Sequence, residues 1–321
     1  MNGIRLMKKE TSITICICTY RRPQIALTIA SLSSLQTRAD WTVDVVVVDN
    51  DVLPSGHGIV LSAAKDSPFK LTYIHAPASN ISIARNACLD AATGDYLAFI
   101  DDDETVTTTW LMELFAVAES TRAEAVLGPV RALYNKQNPD WMVAGNFHAT
   151  VPVFVNEKIV TGYTCNVLLD RRSDKINDLR FDLKRGKSGG EDTDYFSHLH
   201  TRGGSIAYAK EAWVEEVVPP SRSSLKWLAA RKFRSGQTHG TIVARENPKL
   251  LDRAIEIFKA LLKAFYCFLA CLFTLTSPVR WRRNYLRGSL HLGTLSSLAG
   301  QREIELYGTS PTQQKCADVR Q

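Results

Sequence analysis

Four consecutive acidic residues, from Asp101 to Glu104, directly follow the apolar segment Tyr96–Ile100. Adjacent carboxylates repel one another, which destabilises a fold unless a cation neutralises them. Carboxylate oxygens are hard ligands that suit Mg²⁺ or Mn²⁺, and a metal held by one or two of them commonly binds phosphate oxygens too. The run therefore predicts a divalent metal site for a diphosphate substrate, with a solvated acidic turn as the alternative.

A second acidic group follows two glycines in Gly189-Gly190-Glu191-Asp192, just before a helix expected at Tyr195–Thr201. Glycines allow the backbone to approach a ligand closely. A carboxylate at this place could accept a proton from an attacking hydroxyl group. The alternative is a helix whose first turn is acidic only because the helix dipole favours negative charge there.

The elements that would position these residues alternate along the chain. The sequence predicts helices at about 23–36, 82–92 and 109–119, and strands at Ile13–Ile17, Val43–Val48, Leu71–His75 and Tyr96–Ile100. Strands alternating with helices predict an α/β fold with a mostly parallel, Rossmann-like sheet. After residue 125 the pattern is less regular, with short apolar stretches at 151–155, 165–169 and 206–209.

Polar clusters follow three of the expected strands: Thr19-Tyr20-Arg21-Arg22, Asp49-Asn50-Asp51 and the Asp101–Glu104 run. Parallel sheets bind ligands at the carboxyl ends of their strands, so we expect these clusters to share one site. No glycine-rich turn follows the first strand, and no P-loop pattern is present. This disfavours dehydrogenase-type and P-loop nucleotide sites and leaves phosphates to a metal and side chains.

The composition is that of a globular protein with a substantial core. Of 321 residues, 45% are hydrophobic and 22% are charged, which excludes collagenous and disordered classes. The seven cysteines are scattered and no secretory signal precedes them. We therefore expect a reduced cytosolic compartment rather than a disulfide-rich scaffold.

The net charge of +6 is concentrated in the last third of the chain, where residues 221–321 hold 17 Lys and Arg against 6 Asp and Glu. The uncharged segment Ala264–Thr276 is shorter than the roughly twenty apolar residues that span a bilayer. Apolar residues repeat with helical spacing from Phe258 to Leu272 and arginines follow, which predicts a helix on an anionic membrane surface. A buried core helix or a re-entrant segment is the alternative. Nucleic acid is not an expected partner, because the aromatic residues are not interleaved with the basic ones.

The motifs, taken in order, resemble those of inverting family 2 glycosyltransferases, which have the GT-A type nucleotide-diphospho-sugar transferase fold. The resemblance covers about residues 10–240. Within the family, the sequence is similar to bacterial exopolysaccharide glycosyltransferases of the succinoglycan type. The resemblance is carried by Thr19–Pro23, Asp49–Asp51, Asn80-x4-Arg85-Asn86, Gly94–Glu104 and Gly189–Asp194.

The resemblance implies a role for each matching residue on the donor side. Thr19, Tyr20 and Arg22 would flank the nucleotide base, and Asp49 would bind the uracil edge. Arg85 would reach the base or the diphosphate. The usual second strand ends in Asp-Asp-Gly-Ser, whereas this chain has Asp49-Asn50-Asp51-Val52.

The resemblance also implies the metal and proton-transfer residues. Asp103 would coordinate Mn²⁺ or Mg²⁺, while Asp101 and Asp102 would hold the ribose or the waters of the metal, and Asp101 is a second candidate ligand. The acids at 102 and 104 replace the usual residues, so the identity of the ligand stays open.

The Glu191–Asp192 pair would contact substrate, with Asp192 as the general base. His239 is a candidate third metal ligand; the alternative is that it covers the edge of the site or meets solvent.

The expected activity is therefore transfer of one sugar, with glucose favoured, from a UDP-sugar to a polyprenyl-diphosphate-linked oligosaccharide. The Gln-x-x-Arg-Trp pattern of processive synthases is absent. We expect a catalytic domain at 10–240, with a nucleotide half (10–125) and an acceptor half (126–240), and a membrane-associating region at 241–321. The enzyme would be peripheral or monotopic on the cytoplasmic face of the inner membrane. A sugar nucleotidyltransferase and a non-catalytic nucleotide-binding relative are the alternatives.

Overall fold

The computed structural model of the chain describes residues 10–301 and residue 304. These residues divide into two units. The first unit comprises residues 10–131, 150–186 and 191–216, and the second comprises 132–149, 187–190 and the described residues from 217 onward.

The strands and helices are numbered here in chain order. The strands are β1 (Thr11–Thr19), β2 (Trp41–Asp49), β3 (Lys70–His75), β4 (Tyr96–Asp101), β5 (Glu104–Val106), β6 (Ala125–Leu127), β7 (Val130–Leu133), β8 (Phe154–Val155), β9 (Lys158–Ile159), β10 (Asn166–Asp170), β11 (Ile206–Tyr208) and β12 (Val214–Val217). The helices are α1 (Ile25–Leu32), α2 (His57–Ala64), α3 (Ile81–Ala91), α4 (Trp110–Thr121), α5 (Asp140–Gly145), α6 (Asp174–Asn177), α7 (Glu191–Thr201), α8 (Leu225–Glu246), α9 (Leu250–Phe273) and α10 (Pro278–Leu298). Pro220–Arg222 forms a short 3₁₀ turn.

The first unit is built on a seven-stranded sheet with the order β11-β6-β10-β4-β1-β2-β3. Strand β1 lies parallel to β2 and to β4, and β2 lies parallel to β3. Strand β10 runs antiparallel to β4 and β6. The predicted mostly parallel α/β sheet is therefore confirmed.

Both faces of this sheet are covered. Ile13, Ile15 and Ile17 of β1 pack into one hydrophobic cluster, while Cys16 of the same strand packs into a second cluster with Val46 of β2. A strand that is buried on both faces has no polar face, which explains the unbroken β-branched runs in the sequence.

Several elements differ from the sequence-based expectation. Helix α1 ends at Leu32 rather than near residue 36, and α2 was not expected because its sequence has little apolar periodicity. The stretch 151–155 contributes only Phe154–Val155, which pairs with Lys158–Ile159 as a small hairpin. The four acidic residues do not all lie in one turn, because Asp101 ends strand β4 and Glu104 begins strand β5.

The second unit contains the long helices α8, α9 and α10. Gly236 of α8 and Gly293 of α10 mark a close backbone approach, since a Cβ on Gly236 would lie 1.9 Å from the carbonyl oxygen of Leu290. Side chains larger than hydrogen would force these two helices apart. In the described part of the chain, no helix combines the length and the apolar character needed to cross a bilayer.

Candidate active site

The ends of three parallel strands meet at one edge of the main sheet. Thr19 ends β1, Asp49 ends β2 and Asp101 ends β4. In the strand register Thr19 lies opposite Asp49, and Cys18 lies opposite Asp101. The structure thus brings together the three clusters that the sequence placed at strand ends.

The first of these clusters contacts the acidic run directly. The hydroxyl of Thr19 donates a hydrogen bond of 2.7 Å to Asp102, and the backbone N–H of Tyr20 donates to the same carboxylate oxygen. Arg22 forms ion pairs with Asp102 and Asp103. Burial raises the pKa of Asp102 to about 7, although the charge of Arg22 and the Thr19 hydroxyl oppose the shift.

Glu104, the last acid of the run, is buried and binds the backbone at its start. The backbone N–H of Asp101 donates to the Glu104 carboxylate over 3.0 Å. Glu104 is buried, and loss of hydration together with the charge of Asp101 raises its pKa well above the ordinary value. Its inward direction follows from the strand that begins there, because alternate residues of a strand point to opposite faces.

Asp101 and Asp103 are more exposed to solvent than Asp102, which lies between them. The side chain of Asp101 is 45% exposed and that of Asp103 is 18% exposed, whereas that of Asp102 is 9% exposed. Desolvation in the crowded turn raises the pKa of Asp101 and the charge of Asp103 adds to the shift, although Arg85 opposes it. A bound cation would relieve this repulsion.

These carboxylates fit a metal ion that takes only some of its ligands from the protein and the others from substrate. Within residues 10–301 and 304, no three His, Cys, Asp or Glu side chains are placed to hold a metal by themselves. Asp101 and Asp103 fit a cation that takes its other ligands from diphosphate and water, as Mg²⁺ usually does. His239 lies on α8 of the second unit and belongs to no such ligand group.

Arg85 forms a buried ion pair with Glu191, in which an Nη1 N–H donates to the Glu191 carboxylate. Nη2 of Arg85 also lies 3.9 Å from Asp101. Burial opposes the charge of Arg85, but the carboxylates of Glu191, Asp101 and Asp192 outweigh it and raise its pKa. Arg85 thereby links the acidic strand end to the Gly189–Asp194 segment.

The second oxygen of Glu191, Oε2, is buried and has no hydrogen-bond partner among the described residues. Burial raises the pKa of Glu191, even though Arg85 lowers it. A buried polar atom that lacks a partner is costly and is commonly satisfied by a ligand or a water. This agrees with the expectation that Glu191 faces substrate, which stays a prediction.

Asp192 lies in the first turn of α7 and is only half-buried. One carboxylate oxygen accepts hydrogen bonds from the backbone N–H and the hydroxyl of Thr193, at 2.6 and 3.3 Å. The other oxygen makes no hydrogen bond to the described protein and is therefore available to a substrate hydroxyl. Helix α7 begins at Glu191, four residues earlier than predicted, so both acids belong to the helix itself.

Asp49, at the end of β2, is more buried and has more protein hydrogen bonds than its expected contact with uracil suggests. Asp49 is fully buried, and its carboxylate accepts hydrogen bonds from the backbone N–H groups of Asp51 and Gly56 and from the hydroxyl of Tyr73. A carboxylate can accept about four hydrogen bonds, so about one position remains. Asp51 is paired with Arg21 at 2.9 Å. The contact between Asp49 and uracil stays a prediction.

Comparison with known proteins agrees with this geometry. The model of glycosyl transferase family 2 matches residues 14–176. The chain is also 50% identical, over 303 residues, to the succinoglycan biosynthesis protein ExoM of Rhizobium meliloti (strain 1021), a match covering 94% of this chain and 98% of ExoM. The chain belongs to glycosyl transferase family 2. The family resemblance expected from the sequence motifs is confirmed for this glycosyltransferase.

Solved structures of S. aureus TarS share the fold of the glycosyltransferase. The complex of TarS 1–349 with UDP-GlcNAc matches with a TM-score of 0.52 at 15% identity, covering 93% of this chain and 99% of that one. The complex with UDP matches with a TM-score of 0.51 at 17% identity, covering 91% and 93%. A longer TarS chain has a TM-score of 0.51 at 16% identity, and the match covers 89% of the present chain and 55% of that chain. The predicted GT-A type fold is therefore confirmed.

Proposed function

We propose that this family 2 glycosyltransferase is inverting and non-processive, and that it moves one sugar from UDP to a polyprenyl-diphosphate-linked oligosaccharide in exopolysaccharide assembly. The pathway rests on the identity to ExoM and the nucleotide on the UDP and UDP-GlcNAc complexes of TarS. Glucose is the favoured sugar. The structural observation that carries the proposal is the Asp192 carboxylate. One of its two oxygens accepts no hydrogen bond from the described residues. Its charge also raises the pKa values of Arg85 and Asp101, which places it near both side chains.

Asp192 is suited to act as the general base of a single displacement. Its unoccupied oxygen accepts the proton of the acceptor hydroxyl while the hydroxyl oxygen attacks the anomeric carbon of the donor sugar. The bond to UDP breaks on the opposite face of that carbon, so the configuration inverts and an α-linked donor yields a β-linkage. No covalent intermediate with the protein forms.

Arg85 and the metal site are proposed to stabilise the negative charge of the departing diphosphate. Arg85 stays positively charged, and its place between Asp101 and Glu191 leaves it at the acidic strand end. Asp103 and Asp101 would hold Mn²⁺ or Mg²⁺ through their reachable carboxylates. When bound, such a cation supplies positive charge that stabilises the diphosphate leaving group.

Helix α9 is proposed to place the enzyme on the cytoplasmic face of the inner membrane. The small residues Ala260, Ala264 and Cys267 are its buried positions. Its large apolar side chains point outward instead, with Phe265 68% exposed and Leu272 65% exposed. This exposure of the apolar face disfavours the alternative that the segment is a buried core helix. Interfacial helices carry such a face into the lipid headgroup region.

Calorimetric titration with UDP, followed by single-turnover assays, tests the reaction. We expect UDP to bind in the presence of Mn²⁺ and to bind weakly or not at all after chelation. Transfer from UDP-glucose to a polyprenyl-diphosphate-linked oligosaccharide should give an inverted anomeric carbon in the NMR spectrum of the product. Retention of configuration would refute Asp192 as the base, and nucleotide binding without any transfer would favour a non-catalytic relative.

A further inference from the structure

A crevice of about 480 Å³ opens between helices α9 and α10 of the second unit. Two permanent cations, Lys263 of α9 and Arg287 of α10, line it together with His291. The lining contains no carboxylate. The remaining wall is made by Leu262, Tyr266 and Cys267, so a positive group stands on each side of an apolar floor.

Among the described residues, the two cations have no counter-charge. Across residues 10–301 and 304, neither Lys263 nor Arg287 takes part in an ion pair or a hydrogen bond. Lys259, one turn earlier on α9, shows the usual arrangement, because it pairs with Glu256 at 2.7 Å. Two long cationic side chains converging without a carboxylate leave a positive potential that an anion would neutralise.

Two neighbouring histidines lie in the field of these cations, which disfavours a charge on either imidazole. Partial loss of hydration and the charge of Lys263 lower the pKa of both His291 and His239, and Arg287 acts on His291 in the same direction. Glu246 and Glu256 oppose the downward shift of the His239 pKa, and neither of them lines the crevice. The positive potential of the crevice therefore comes from Lys263 of α9 and Arg287 of α10.

The crevice is continuous with an exposed apolar surface. Leu262 and Tyr266 line it and are also 52% and 70% exposed. They belong to what we name the α9 apolar row, whose large exposed members are Leu250, Leu251, Ile255, Phe258, Leu261, Leu262, Phe265, Tyr266, Leu269, Leu272 and Phe273. A ligand in the crevice would thus have its anionic group beside the two cations and an apolar part along the row.

We propose that this crevice binds the phosphate group of an anionic membrane phospholipid, whose acyl chains lie along the α9 apolar row. The inference rests on the proposed membrane role of α9 and adds a defined headgroup site to it. Lys and Arg side chains have flexible apolar stems and cationic heads, which suits them to reach lipid phosphates at the boundary of a bilayer.

A free phosphate ion fits this crevice less well than a lipid. Lys263, Arg287 and His291 lie inside helices, where backbone N–H groups are occupied by the helical hydrogen bonds and cannot cradle an ion. A free phosphate ion would therefore contact only the cationic side chains and would stay largely exposed to solvent. A phospholipid gains additional free energy from its acyl chains on the apolar row, because apolar surface leaves water.

The test measures binding of monomeric short-chain phosphatidylglycerol, below its critical micelle concentration, to the full chain by calorimetry. Short-chain phosphatidylcholine and inorganic phosphate are the two comparison ligands. We expect saturable binding of phosphatidylglycerol that is at least tenfold tighter than that of either comparison ligand. Equal binding of inorganic phosphate would show a free-ion site and would overturn the proposal.

Paired variants separate the crevice from general surface charge. Lys263→Gln with Arg287→Gln should weaken phosphatidylglycerol binding at least tenfold, since each Lys or Arg near an anionic headgroup contributes about fivefold. The matched control, Lys259→Gln with Arg280→Gln, removes the same net charge from the same two helices outside the crevice and should change binding less than twofold. Equal losses in both variants would overturn the headgroup site.

Vesicle co-sedimentation separates this inference from the membrane proposal on which it rests. The wild-type chain should sediment with phosphatidylcholine vesicles containing phosphatidylglycerol, and the crevice variant should do so at least tenfold less. Sedimentation that is identical for wild type and crevice variant would refute the crevice and leave the membrane role intact. No sedimentation of the wild-type chain would refute both. Unchanged thermal unfolding of the variants, whose substituted side chains are exposed, checks their folding.

Discussion

Arg85 and Glu191, which are 106 residues apart in sequence, form a buried ion pair between helix α3 and the first turn of helix α7. Arg85 also faces Asp101 at the end of β4. The residue after Glu191 is the proposed base Asp192. One guanidinium therefore fixes the distance between the acidic strand end, where the diphosphate is proposed to bind, and the carboxylate that is proposed to receive the acceptor proton.

Breaking this ion pair should destabilise the fold strongly. We expect Glu191→Gln to lower the free energy of unfolding by about 3 kcal/mol, because Arg85 would stay buried without its nearest counter-charge. Glu119→Gln is the control, since Glu119 is half-exposed and its pair with Arg38 lies at the surface. That change should cost less than about 1 kcal/mol. Urea unfolding measures both; a similar small loss in each variant would contradict the structural importance of the buried pair.

Replacement of the proposed base should separate binding from transfer. Asp192→Asn keeps the shape of the side chain but removes its ability to take up a proton, so we expect transfer to slow about 10²–10⁴-fold. The affinity for UDP should change little. Asp174→Asn, in the first turn of α6, is an exposed control with the same chemistry. Single-turnover rates and calorimetric affinities report the two effects, and turnover near the wild-type rate would remove Asp192 from the mechanism.

Asp103 should matter for binding of the nucleotide only when metal is present. We expect Asp103→Asn to weaken UDP binding about tenfold in Mn²⁺ and to leave the weak binding after chelation unchanged, since a neutral amide is a poor ligand for a hard cation. Calorimetry with and without chelator measures both values. The same loss in both conditions would instead trace the effect to the ion pair between Asp103 and Arg22.

The pKa of Asp102 predicts a pH-dependent stability. Its folded-state pKa is about 7, above the value of about 3.9 expected in the unfolded chain. Between these values the folded state holds a proton that the unfolded state has lost, so this group makes stability fall as pH rises from about 4 to 7. The slope from one such proton is about 1.4 kcal/mol per pH unit.

The Asp102→Asn variant isolates that contribution. Between pH 4 and 7, the unfolding free energy of this variant should fall less steeply than that of wild type, by up to about 1.4 kcal/mol for each pH unit. Asp66→Asn, at an exposed residue, should follow the wild-type dependence. Parallel pH profiles for wild type and Asp102→Asn in urea unfolding would show that Asp102 titrates in its ordinary range.

The sequence predicted the parts of this site that are coded locally. Apolar β-branched runs followed by polar clusters located the ends of β1, β2 and β4, because strand burial and strand termination both depend on neighbouring residues. The residues that end two neighbouring parallel strands meet at the same sheet edge, as Thr19 does opposite Asp49.

Long-range contacts were outside the reach of such patterns. Nothing near Arg85 indicates that Glu191 is its partner, and nothing near Glu104 indicates that it turns inward to the backbone of Asp101. The same limit applies to α9, whose apolar spacing suits a core helix as well as an interfacial one. Only the packing of the small residues Ala260 and Ala264 against the rest of the unit decides which face is exposed.

The α9 apolar row should govern membrane attachment through its apolar area. We expect Phe258→Ser, Phe265→Ser and Leu272→Ser together to reduce vesicle binding at least tenfold, since all three side chains are exposed and their loss removes apolar surface that lipid would cover. Leu27→Ser, Leu53→Ser and Leu61→Ser replace three exposed apolar residues of the first unit and serve as the control. Co-sedimentation with phosphatidylglycerol-containing vesicles compares them. Equal binding of both triple variants and the wild type would mean that attachment does not depend on the α9 row, whereas loss in the first variant alone would locate the apolar contact on α9.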